Sequence, residues 1–220
     1  MRVIHIPCYS LSDPIPVLEE QISELKPYSS ICLLATAQHL NRIKDARRFL
    51  ESKGKTVEVG GQILGCRRDK ALALQDKVDC FLYIGSGRFH PIGLALEAGK
   101  PVFILNPLSQ VLDKVADEEK ELWLKKREKR LRKAAAAKSF GVLVSIKEGQ
   151  FNLGEAFKLK KRLESRGFRA YLFAGDELSP ENLLPFTVDC WVNTACPRLV
   201  DDEYGKPVLN AGDLDLVFGG

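Results

Sequence analysis

VDCFLYIGSGRFHP, residues 78–91, runs from an apolar stretch straight into a glycine turn that carries Arg88 and His90. Further along, VDCWVNTACPRL, residues 188–199, repeats the pattern with Cys196 in the turn. A short, continuous apolar run bounded by turn residues reads as a strand buried on both faces, and the turn then opens a helix. The same unit is written twice and equipped differently at its tip.

The echo extends in both directions. SICLLATAQHL (30–40) matches SFGVLVSIKEGQ (139–150), LESKGKTVEVGG (50–61) matches LESRGFRAYLFAG (163–175), and GKPV recurs at 99–102 and 205–208. The paired stretches lie 106 to 113 residues apart. That period is too long for a solenoid repeat and suits a duplicated small domain. The expected organisation is a first domain over residues 1–110, a connecting charged helix over 111–138 and a second domain over 139–220.

Within each unit, short apolar runs alternate with helical segments. VIHIP (3–7), ICLLAT (31–36), TVEV (56–59), CFLYIG (80–85) and PVFIL (101–105) are strand candidates in the first. NRIKDARRFLES (41–52) sets Ile43, Ala46, Phe49 and Leu50 on one helical face before Lys53-Gly54 stops it. The second unit follows with GVLVSI, a helix from about Glu155 to Ser165, RAYLFA, CWVNT and PVLN. This alternation predicts an α/β fold: two duplicated Rossmann-like three-layer domains with parallel sheets. Ligands of such sheets bind at the carboxyl ends of strands, where both echoed turns fall.

The segment between the units, 112–138, is acidic at its start and basic at its end, as a helix dipole favours. Leu112, Val115, Leu122 and Leu131 supply a partial apolar stripe. Its basic run KKREKRLRK (125–133) reads as a solvated face, the alternative being a dock for an acidic or phosphate-bearing partner.

Composition narrows the function classes. The 220 residues are 45% hydrophobic and 28% charged, an ordinary globular balance, and a net charge of +4 does not demand a nucleic-acid partner. No apolar run approaches the roughly 20 residues that cross a bilayer, and the N-terminus lacks the design of a secretory signal, so a cytoplasmic location is expected. In a reducing compartment six cysteines suit thiol, metal or cluster roles better than disulfides. A general nucleotide-binding module is disfavoured because no GxGxxG follows the first strand.

GQILGC (61–66), FLYIGSGRFHPIGLAL (81–96), SIKEGQ (145–150) and VDCWVNTACPRLVDDE (188–203) followed by KPVLN resemble the family of 2-(3-amino-3-carboxypropyl)histidine synthase, the enzyme of the first step of diphthamide synthesis. The resemblance covers nearly the whole chain in order. It implies a radical type of S-adenosylmethionine enzyme with a 4Fe–4S cluster, which transfers a 3-amino-3-carboxypropyl group to a histidine of translation elongation factor 2. The family pattern is three similar domains with one cluster cysteine from each. This sequence matches the second and third, so the resemblance assigns cluster ligation to Cys66 and Cys196. A third thiolate is then expected from Cys8, from self-association or from a longer homologous partner. The alternative is a non-catalytic cluster- or nucleotide-binding subunit beside a full-length homologue.

The remaining candidates surround those cysteines. Gly85, Ser86 and Gly87 let backbone amides approach a ligand, and Arg88 offers a planar fork suited to the carboxylate of the methionine moiety. His90 either orients ligand or caps the next helix. Lys147 and Gln150 either contact substrate or shape their loop, and His39 stands at the first unit's counterpart of that loop. Asp201 and Asp202 are expected to cap a helix start. Cys32, Cys80 and Cys190 fall inside strand runs and read as small buried hydrophobes, as His5 reads as packed within its strand.

Overall fold

The computed structural model describes residue 4 and residues 6–64 and 67–219. The chain divides into two compact units, Met1–Glu121 and Leu122–Gly220. In the first, four parallel strands, β1 (Ser30–Ala35), β2 (Thr56–Gln62), β3 (Cys80–Ile84) and β4 (Val102–Asn106), join an antiparallel edge strand, β5 (Val111–Lys114), in the order β2-β1-β3-β4-β5. Successive residues of β1 and β3 alternate between two cores, as the period of two demands. Ile31, Leu33, Cys80 and Leu82 pack under α1 (Ile15–Gln21) and α2 (Ile43–Ser52). Cys32, Leu34, Phe81 and Tyr83 pack under α3 (Asp69–Leu72) and α4 (Phe89–Glu97). Ile43, Ala46 and Leu50 are buried with Phe49 packed beside them, so the helical face read from the sequence is the one that docks.

Helix α5 (Asp117–Ala135) follows, and then the second unit's sheet: β6 (Ser139–Ser145), β7 (Arg169–Gly175), β8 (Cys190–Asn193) and β9 (Val208–Asn210), all parallel, in the order β7-β6-β8-β9. Helices α6 (Leu153–Ser165) and α8 (Asp213–Phe218) cover one face together with Ala134 of α5. Helix α7 (Pro180–Leu183) and the 3₁₀ turn Pro197–Asp201 lie on the other, where Leu183 and Val200 pack with Leu143 and Trp191. Asn152 caps α6 by accepting the Glu155 N–H, and Gly167 ends the helix at a φ of 85°.

The order β7-β6-β8-β9 is that of β2-β1-β3-β4, and the correspondence reaches individual atoms. Asp79 Oδ2 accepts the N–H groups of Ser29 and Ser30, both at 2.8 Å, and its own N–H returns to the Ser30 carbonyl. Asp189 Oδ2 accepts those of Lys138 and Ser139 at 3.0 and 2.9 Å, and its N–H returns to the Ser139 carbonyl. The echoed Val-Asp-Cys is thus a clasp that ties the start of one central strand to its neighbour in each sheet. Donated hydrogen bonds, from Ser30 in one case and Ser139 in the other, hold both carboxyls below the usual aspartate range.

Three expectations are corrected. The segment 112–138 is not one helix: 111–114 form β5, whose Leu112 is buried opposite Leu105 and covers the open edge of β4. Leu122, at 56% exposure, does not join an apolar stripe, whereas Leu131 packs on the second core. In VIHIP, Val3 and His5 lie outside the described residues, while Ile4 and Ile6 belong to no strand and are 85% and 78% exposed. No helix among the described residues is long and apolar enough to cross a membrane.

Candidate functional site

In each sheet a set of candidate residues follows the carboxyl ends of strands: Gly85 to His90 after β3, Lys147 and Gln150 after β6, and Cys196 after β8. After β8 the chain enters a loop built on a polar side chain. Asn193 is buried; its Nδ2 donates to the Cys196 carbonyl and to Asn210 Oδ1, both at 2.8 Å, and its Oδ1 accepts the Ala195 N–H at 2.9 Å. Thr194 adds a hydroxyl bond to the Leu143 carbonyl at 2.8 Å. Cys196 is thereby fixed by its own backbone, half-exposed, where the 3₁₀ turn Pro197–Asp201 begins. Asp201 and Asp202 stand at the end of that turn rather than capping its start, which corrects the sequence expectation. Burial raises the Asp201 carboxyl pKa, with Arg130 and Arg198 pulling against it.

The matching turn of the first unit is made differently. Tyr83, at the position equivalent to Asn193, is fully buried, and Gly85 lies so close over its ring that a Cβ there would sit 2.5 Å from the phenol oxygen. Only glycine permits this approach. Ser86 and Gly87 are exposed. His90, half-buried in the first turn of α4, lies edge-on to Tyr83 and Phe89 with ring centroids 6.4 and 5.5 Å away. Arg88 does not present an open fork. Its Nε and Nη2 donate to the two carboxylate oxygens of Glu119 at 2.7 and 2.6 Å, and its Nη1 donates to Asp113 at 2.8 Å.

The other candidates separate by burial. Cys66 lies outside the described residues; its flanks Leu64 and Arg67 exchange backbone hydrogen bonds just after β2. Cys8 is exposed, and the Ser10 N–H close by donates to the Gln38 carbonyl in the turn that follows β1. His39 is fully buried and its pKa is lowered by that burial, so its ring faces no open cleft. Lys147 is exposed and Gln150 half-buried, in a turn closed by the Gln150 N–H on the Lys147 carbonyl. Burial pushes the Cys32 thiol up to about 11 and the Cys80 thiol up to about 12, and raises Cys190 as well. These three cannot supply thiolates near neutral pH.

Thiolates at accessible loop positions are what an iron–sulfur group requires, and Cys196 fits that chemistry while the strand cysteines do not. Among the described residues no three His, Cys, Asp or Glu side chains gather into a metal site. Sequence reasoning missed Asn193. The available signal was a lone amide in the apolar run CWVNT, at the position where the first unit has tyrosine.

Residues 1–220 match the protein family described as "Putative diphthamide synthesis protein". The 2-(3-amino-3-carboxypropyl)histidine synthase of Pyrococcus horikoshii is 35% identical over 229 aligned residues, covering 98% of this chain and 65% of the relative. That of Methanocaldococcus jannaschii is 38% identical over 196, covering 79% and 56%. The crystal structure of Dph2 from P. horikoshii with a 4Fe–4S cluster superposes with a TM-score of 0.85 at 34% identity, over 96% of this chain and 64% of that one. The chain thus spans less than two thirds of the length of these relatives.

Proposed function

The chain belongs to the diphthamide synthesis family, and we propose that it acts in the first step of that synthesis, transferring a 3-amino-3-carboxypropyl group from S-adenosylmethionine to a histidine of translation elongation factor 2. The observation that carries this reading is the Cys196 loop: an accessible thiol at a strand's carboxyl end, on a loop held by a buried amide. Cys66 and Cys196 would hold a 4Fe–4S cluster, with the third thiolate from Cys8 or from another chain, either a second copy or a longer homologue. Such a cluster, when bound, supplies the electron for breaking the bond between sulfur and the γ-carbon. Asn193 sets the direction of the Cys196 thiol through its carbonyl. In the first unit the exposed Ser86 and Gly87 would offer backbone amides to the methionine moiety, with His90 bordering that turn; in the second, Lys147 and Gln150 stand in the loop after β6 as candidate substrate contacts.

The test is anaerobic reconstitution with iron and sulfide quantification, followed by transfer assays with S-adenosylmethionine and elongation factor 2. The assays are run alone and with a full-length homologue while mass in solution is followed. Bound iron should fall by more than half in Cys66→Ala and Cys196→Ala and stay unchanged in Cys32→Ala. Loss in Cys8→Ala would assign the third thiolate to Cys8, and retention would place it elsewhere. A wild-type protein that stays colourless and iron-free, alone and with the homologue, would overturn the reading.

A further inference from the structure

We infer that Arg88 is a positioning residue that braces the glycine turn against the start of α5, and that it does not itself grip substrate. Three of its five N–H donors are engaged by two carboxylates from other elements, Glu119 of α5 and Asp113 of β5, all within the first unit. The pairing with Glu119 is two-pronged, the geometry that makes Arg–carboxylate contacts most specific. Glu119 is in turn occupied. Its Oε2 accepts the Ala116 N–H at 3.1 Å, so the third residue of α5 reaches back to close its own helix start while it holds Arg88. The Arg88 side chain is 42% exposed and that of Glu119 30%, so solvent screens the network without dissolving it.

The position explains the need. Arg88 immediately precedes α4, and between it and β3 stand Gly85, Ser86 and Gly87; a Cβ at Gly87 would meet nothing within 4 Å. Gly85 is packed on Tyr83, but the exposed Ser86 and Gly87 have little of their own to hold them, and the Arg88 clasp supplies there what packing does not. The same bonds hold the Glu119 carboxyl below the usual glutamate range. The groups facing it are Arg88 from the turn, which favours the ionised carboxylate, and Asp113 from β5, which shares Arg88 and, as an anion itself, supports the charge on Arg88 and not that on Glu119.

Hydrogen exchange on the ligand-free full chain tests this whether or not the transfer reading holds. Arg88→Lys keeps the charge but loses the fork, and Glu119→Gln keeps the shape but loses the charge. Each should raise exchange of the 86–90 and 116–121 amides about fivefold, and the double variant no further. A carboxyl with a depressed pKa protects above its unfolded value and ceases to do so as pH falls through the folded one. Protection of these amides should therefore fade in acid in wild type and be flat in Glu119→Gln. S-adenosylmethionine binding supplies the discriminating arm. A braced turn predicts that Arg88→Lys and Glu119→Gln weaken it by the same factor. Weakening by Arg88→Lys of more than tenfold, with Glu119→Gln and Asp113→Asn unaffected or tighter, would assign Arg88 to the ligand and overturn the inference, as would exchange unchanged in both variants.

Discussion

At the scale of single residues, the two echoed turns show how one backbone plan accepts different chemistry. The first fills the space below its turn with a phenol ring, the second with an amide that organises three polar groups. Replacing Asn193 by alanine leaves the Cys196 carbonyl, the Ala195 N–H and Asn210 short of partners. A loss of about 2 kcal/mol is expected, because a buried polar group left unpaired forfeits its solvation. Urea denaturation measures the loss, and alkylation of Cys196 in the native state should quicken as its loop loosens. Unchanged stability together with unchanged Cys196 reactivity would remove Asn193 from the organisation of the site.

Elements were legible wherever their signal is local. The apolar runs of β1, β3, β4 and β6 and the stripe of α2 declared themselves by period, and Gly54 and Gly167 marked helix ends through positive φ. Strand β5 did not declare itself: its four residues bury only Leu112, and its identity depends on the neighbouring edge of β4 rather than on its own pattern. The clasp at Asp79 and Asp189 belongs to this scale because it ties strand to strand. Both carboxyls are depressed in the folded state, so their contribution is present above the unfolded value near 3.8 and is lost as pH falls through the folded ones. Asp79→Asn and Asp189→Asn should each lower the melting temperature at pH 7. Each should also flatten its decline as pH falls below the unfolded aspartate value of about 4. A decline as steep as that of wild type in both variants would locate the acid sensitivity elsewhere.

Over the whole molecule, both sheets carry their strand cysteines as core. Cys32 and Cys80 in one and Cys190 in the other are fully buried, and burial alone is the largest cause of their raised pKa values. A thiol with a folded pKa above its unfolded value of 9.0 contributes stability in full below that value. The contribution drains as pH rises through 9 toward 11 and 12. Alkaline unfolding should therefore begin near pH 9 to 10, and Cys80→Ser should not share that share of the pH dependence. Native-state alkylation near neutral pH should reach Cys8 and Cys196 and spare the strand cysteines until denaturant is added. Rapid native modification of Cys32, Cys80 and Cys190 would contradict the packing described above.

The sequence by itself determined the doubled α/β plan, the strand ends at which the candidate residues stand and the family to which the chain belongs. Hydrophobic period, turn residues and an internal echo are properties of contiguous residues, and folding does not rewrite them. The tertiary structure alone decided what each polar side chain is for. Arg88 looked like an open fork because its partners stand 25 and 31 residues away, and Asn193 looked like a strand residue and nothing more because Asn210 stands 17 residues away. Hydrogen bonds and ion pairs are spent between residues that only the closed fold brings within 3 Å, so the availability of a donor is a property of the folded chain and not of the motif that contains it.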